Sequence, residues 1–120
     1  MSQHELTAED LLHNWTRWVW SGETVGNMAH HYQEDDCVRP INHYHALQVE
    51  ALHAALPWPE RMVVTAEYPQ KNARFAGLDA HQRRTAARRW ILLTTQVSIS
   101  DTEYRLYLWL FKNTVDRKVR

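Results

Sequence analysis

Residues 90–108 read WILLTTQVSISDTEYRLYL, and this stretch has the pattern of two helices joined by a tight turn. Trp90 and Leu93 supply apolar positions to pack under a second helix, and Thr94 stands where the helices would cross. Val97 and Ile99 flank the turn and are expected to be its buried residues. Ser98 holds the turn position where glycine is usual, so it should take a less comfortable backbone conformation. Ser100 caps the next helix, with Glu103 three residues on to complete a capping box. Behind the cap, Tyr104 and Leu108 face inward, while Asp101, Thr102, Arg105 and Leu106 face outward. A helix-turn-helix presents its second helix to the DNA major groove in this way. The alternative is two packed helices of a bundle.

Outward from this stretch, helical spacing dominates and period-2 alternation is scarce. The expected fold is all-α with about five helices. A first helix starts at Thr7, an N-cap with Glu9 and Asp10 in its first turn, and carries Leu11, Leu12, Trp15, Trp18 and Val19 until Gly22 ends it. Residues 22–40 are polar and irregular, as in a loop or short helical piece. A second helix spans about Asn42 to Leu56, with Tyr44, Leu47, Gln48, Ala51, Leu52 and Ala55 on one face and Pro57 as its stop. Pro59 opens a third, to Tyr68, carrying Met62, Val63, Val64 and Ala66. After a loop over 70–78, Asp79 caps a fourth that runs to about Thr95. The last, from Asp101 to about Arg117, bears a stripe of Tyr104, Tyr107, Leu108, Phe111 and Val115. The 120 residues suit a single domain. Residues 1–40 form an acidic, tryptophan-rich helix and loop, and residues 41–120 a helical remainder.

The charges are segregated. The formal net charge is zero, yet residues 1–60 hold nine acidic and two basic side chains, a net of −7. Residues 61–120 hold twelve basic and five acidic, a net of +7. Such asymmetry points to a polyanion partner for the basic half. Arg83, Arg84, Arg88, Arg89, Lys112, Arg117 and Lys118 are the candidate phosphate contacts, which position a protein without specifying sequence. Asp101, Thr102, Arg105 and Leu106 are the candidate base contacts. Trp20 and Trp109 fall off the main apolar stripes and are expected to be exposed. With Trp18 they are the candidates for a protein-partner surface.

Two further stretches extend the reading. VEALHAALPWPERMVVTAEYP (49–69) precedes TAARRWILLTTQVSISDTEYRLYLWLF (85–111), and LLHNWTRWVWSG (11–22) lies near the N-terminus. The first pair resembles the C-terminal, DNA-reading region of primary sigma factors. The tryptophan-rich string is similar to the opening helix of phage late-gene antitermination proteins of the Q family, which also resemble that sigma region. The resemblance implies a protein that binds double-stranded DNA near a late promoter and joins a paused RNA polymerase. That polymerase would then read through downstream terminators, in the cytoplasm of a bacterial host. The other class considered is a phage or prophage accessory protein that binds and inhibits a host protein.

Other chemistries are less supported. His30, His31, Asp35, Asp36, Cys37, His43 and His45 are all ligand types within 16 residues. Their spacing matches no standard zinc knuckle, and the lone Cys37 gives no thiolate pair. The expectation is no cofactor, with zinc on His30, His31, Cys37, His43 and His45 as the rival. No enzyme is expected: Asp35 and Asp36 would disfavour a Cys37 thiolate, and three glycines are too few for a phosphate loop. The single cysteine excludes an intramolecular disulfide. The N-terminus lacks the basic and apolar regions of a secretory signal. No apolar run approaches the roughly 20 residues that span a bilayer.

Overall fold

The computed structural model describes residues 6–21 and 40–120. Among them all regular structure is helical: α1 (Ala8–Trp20), α2 (His43–Ala54), α3 (Trp58–Glu67), α4 (Ala80–Thr95) and α5 (Asp101–Lys118). None of these helices is long and apolar enough to cross a membrane.

Local chemistry sets the helix ends. Thr7, Asp79 and Ser100 each form a capping box with the residue three positions on: Asp10, Gln82 and Glu103. Each box satisfies two backbone donors that a helix start leaves unpaired. Asn42 caps α2 by accepting from the His45 amide. Pro59 sits at the second position of α3 rather than the first, behind Trp58. Gly77, with φ of +83°, lets the 68–78 turn region feed α4.

α1 lies against α2 and α5, and α3 lies against α4, α5 and, more lightly, α2. Two apolar clusters result. The first joins Leu11, Leu12 and Trp15 of α1 to Val49, Val64, Phe111, Val115 and Val119. The second joins Met62, Val63 and Ala66 of α3 to Phe75, Ala87, Ile91, Ile99 and Tyr104. α3 and α5 contribute to both clusters, so they couple the two halves of the core.

Polar groups tie the clusters together. The Glu67 side chain, at the end of α3, is only 9% exposed, and it accepts from Arg83 Nε at 3.1 Å and from the Tyr104 hydroxyl at 2.7 Å. Burial, with the Glu67 charge beside it, pushes the Tyr104 phenol far above its ordinary range, so it stays a donor. On the other side, Glu9 of α1 takes Lys112 of α5 at 2.6 Å and the Tyr68 hydroxyl at 2.9 Å. Partial burial would raise the Glu9 carboxyl, but these two hydrogen bonds outweigh it and hold the carboxyl below its usual value. Trp15 donates to Glu50 at 2.9 Å. His53 packs between Trp15 and Phe111, at ring-centroid distances of 4.8 and 6.3 Å, and its Nε2 lies 3.0 Å from the Thr65 hydroxyl.

Several expected faces are rotated. Tyr44, Leu47 and Ala51 of α2 are exposed, and the helix buries Ala46 and Val49 instead. Apolar residues lie around most of this helix, so the choice falls to the partner. The bond from Trp15 to Glu50, with the two hydrogen bonds between Asn14 and Asn42, holds that side against α1. Trp20 is buried rather than exposed, because its indole donates to the Pro69 carbonyl at 2.6 Å. In α4, Ile91 is buried while Leu93 is 71% exposed. Val97 is also exposed, and Leu108 is half-buried.

Two outcomes follow for stability. Arg83→Ala strands Glu67 as a buried, half-satisfied charge and should cost about 3 kcal/mol in urea unfolding. Arg89→Ala, at an exposed position, should stay within about 0.5 kcal/mol. Equal effects would mean that the Glu67 cluster is unimportant. Burial holds the His53 imidazole below its ordinary value, so the unfolded chain takes up a proton there before the folded one does. The stability from this site is full above the unfolded pKa, about 6.5, and is lost as pH falls through the lower folded value. His53→Gln should therefore lose less stability than wild type between about pH 7.5 and about pH 5.5. An equal loss in both proteins would contradict the assignment.

Candidate nucleic-acid interface

The expected site lies where α4 turns into α5. Gln96 ends α4 in the left-handed region, at φ 63° and ψ 24°, and its amide donates to the Leu92 carbonyl. The strained position is therefore Gln96 and not Ser98. A residue just past a helix end commonly takes this conformation, usually as glycine. The chain then runs through Val97, Ser98 and Ile99 to the Ser100 cap. Ile99 is buried in the second cluster and anchors the turn from below.

Two arginines of α4 hold the turn from the side. Arg88 Nε donates to the Ile99 carbonyl at 2.9 Å. Arg84 Nε donates to Asp101 at 2.8 Å, and Arg105 approaches the same carboxylate at 3.7 Å. The hydrogen bond from Arg84 holds the Asp101 carboxyl below its usual range. Asp101 is thus the acceptor that fastens the first turn of α5 to α4, while Ser100 and Glu103 do the capping. Tyr104 is fully buried behind this turn. Thr102, Glu103, Arg105 and Leu106 are exposed in front of it.

The expected phosphate contacts divide into two groups. Arg83 is buried against Glu67, which corrects its assignment to a phosphate. Arg84 and Arg88 are half-buried ties of the turn, and Lys112 is bound to Glu9 of α1. Arg89, Arg117 and Lys118 are exposed. Arg89 lies beside the turn, whereas Arg117 and Lys118 lie at the far end of the 18-residue α5. At about 1.5 Å per residue, that end is roughly 23 Å from Thr102. Sequence reasoning could not see which cations are taken up internally, because their acceptors, Glu67, Glu9 and the Ile99 carbonyl, are distant in sequence or belong to the backbone.

Of the expected partner surface, Trp109 is 60% exposed, and Trp18 is half-buried against the first cluster. Trp20 is in the interior. Leu106, Trp109 and Leu110 make an exposed apolar stripe along α5. Of the possible metal ligands, His30, His31 and Cys37 lie outside the described residues. His43 is exposed and His45 half-buried at the start of α2. Among the described residues, no three His, Cys, Asp or Glu side chains come together as a metal-ligand group.

Sequence reasoning also missed Thr85 and Ser98, which join Arg88, Arg89, Leu92 and Ile99 around a depression of about 300 Å³ beside the turn. Thr85, Arg88, Arg89 and Leu92 have the i, i+3, i+4, i+7 spacing of one helix face, and that spacing is legible in the chain. No known protein family, curated protein or solved structure matches this chain.

Proposed function

We propose that this chain is a non-enzymatic, DNA-binding transcription regulator of the antitermination type, with RNA polymerase as its second partner. The observation that carries the reading is the display of Thr102, Arg105 and Leu106 on the exposed side of the first turns of α5. That turn is immobilised from behind by Tyr104 on Glu67 and from the side by Arg84 on Asp101. Rigid presentation of a few side chains at a helix N-terminus is what base-edge readout in a major groove requires. Arg105 has the chemistry for a guanine edge, Leu106 for a thymine methyl and Thr102 for either kind of hydrogen bond. Arg89 beside the turn has the chemistry for a flanking phosphate.

A second reading has its own support. The exposed Leu106, Trp109 and Leu110 stripe is apolar along a helix that would otherwise face a polyanion. It suits a protein that docks on α5 as a helix face, as expected of an accessory factor that captures a host protein.

A salt-titrated binding assay on duplexes from the gene's own neighbourhood separates the two. The DNA reading predicts one preferred duplex, affinity falling steeply with salt, and Arg105→Ala losing about tenfold or more in preference for it. No binding to any duplex at low salt would overturn the DNA reading and leave the apolar stripe as the working surface.

A further inference from the structure

Of the residues around the depression beside the turn, the DNA reading uses only Arg89. Its walls are Thr85, Arg88, Arg89 and Leu92 of α4 on one side and Ser98 and Ile99 of the turn on the other. Arg88 spends its Nε on the Ile99 carbonyl. That bond orients the guanidinium and leaves its two terminal amino groups without an acceptor among the described residues. Arg89 is exposed and makes no ion pair or hydrogen bond among them. The hydroxyls of Thr85 and Ser98 are also uncommitted there. Asp101, the carboxylate that opens α5 after the turn, is held by Arg84 and Arg105, so its charge is largely offset.

Two guanidinium groups and two hydroxyls around a shallow, open depression match one ligand chemistry, a compact tetrahedral oxyanion. Guanidinium forks bind phosphate oxygens through paired, charge-assisted hydrogen bonds, and hydroxyls serve the remaining oxygens. The pre-orientation of Arg88 by the turn lowers the ordering cost of binding. We infer that Thr85, Arg88, Arg89 and Ser98 form a binding site for a single phosphate group. The group comes either from a nucleic-acid backbone or from a free phosphate anion. The site does not depend on base readout by α5. Where that readout holds, it fixes the register of α5 by gripping one phosphate.

The test uses the full chain labelled with ¹⁵N and titrated with inorganic phosphate, with chloride at matched ionic strength as the reference. Saturable shifts are expected at the Ser98 and Ile99 amides and at the Arg88 Nε–H. Arg89→Gln, an exposed substitution, should weaken the response about tenfold. Arg117→Gln, at the far end of α5, should leave it unchanged. No saturable shift, or one undiminished in Arg89→Gln, overturns the site. A parallel salt titration on duplex DNA identifies the source. A slope shallower by about one in Arg89→Gln assigns a backbone phosphate. An unchanged slope alongside a saturable phosphate response assigns a free anion. Failure of the chain to bind any duplex removes the DNA reading while leaving the phosphate titration to decide the site.

Discussion

The Glu67 carboxylate is nearly withdrawn from solvent between the last three helices, and their arrangement follows from satisfying it. A buried charge is costly unless it is paired and hydrogen-bonded. Here one oxygen takes Arg83 from α4 and the other takes the Tyr104 hydroxyl from α5. Those contacts are possible only when α3, α4 and α5 stand in one relation to each other. Apolar burial of Val63, Ala66, Ala87, Ile91, Ile99 and Tyr104 supplies attraction without direction. The carboxylate supplies the direction, and with it the placement of the first turn of α5.

The rest of the molecule braces this unit from the other side. α1 uses Leu11, Leu12 and Trp15 against α2 and the C-terminal part of α5. Glu9 fastens α1 to Lys112 and to Tyr68, the residue just past α3. The C-terminal half of the chain therefore spends many of its cations on structure. Its net charge of +7 overstates what is free for a partner. The cations left exposed near the turn, chiefly Arg89 and Arg105, are few and sharply placed. This favours a site defined by geometry over a broad basic surface.

Helix positions were legible in the chain because capping chemistry is local. Thr7 and Asp79 are readable as caps, Ser100 with Glu103 as a capping box, and Pro57 as the stop between two helices. Helix faces were less legible. α2 is apolar on more than one side, so the expected face of Tyr44, Leu47 and Ala51 lost to Ala46 and Val49, with long-range ties from α1, Trp15 to Glu50 and Asn14 to Asn42, holding that orientation. Trp20 looked stranded off its stripe until the Pro69 carbonyl, 49 residues on, gave its indole a partner. The same limit applied to the candidate site. Exposed Thr102, Arg105 and Leu106 follow from helical periodicity. The internal roles of Arg83 and Lys112 depend on acceptors brought close only by folding.

Glu67 binds α3, α4 and α5 into one cooperative unit that holds the first turn of α5 in place. Native-state hydrogen exchange of wild type and Tyr104→Phe tests this most directly, because the variant keeps the ring and removes only the hydroxyl. Hydrogen bonds to charged groups contribute about 1.5–3 kcal/mol, so exchange should be common to the three helices in wild type. In the variant, the amides of residues 104–108 should open at a lower free energy than those of α3. If those amides stay as protected as the amides of α3 in the variant, Glu67 does not hold α5, and the account of how this surface is presented is wrong.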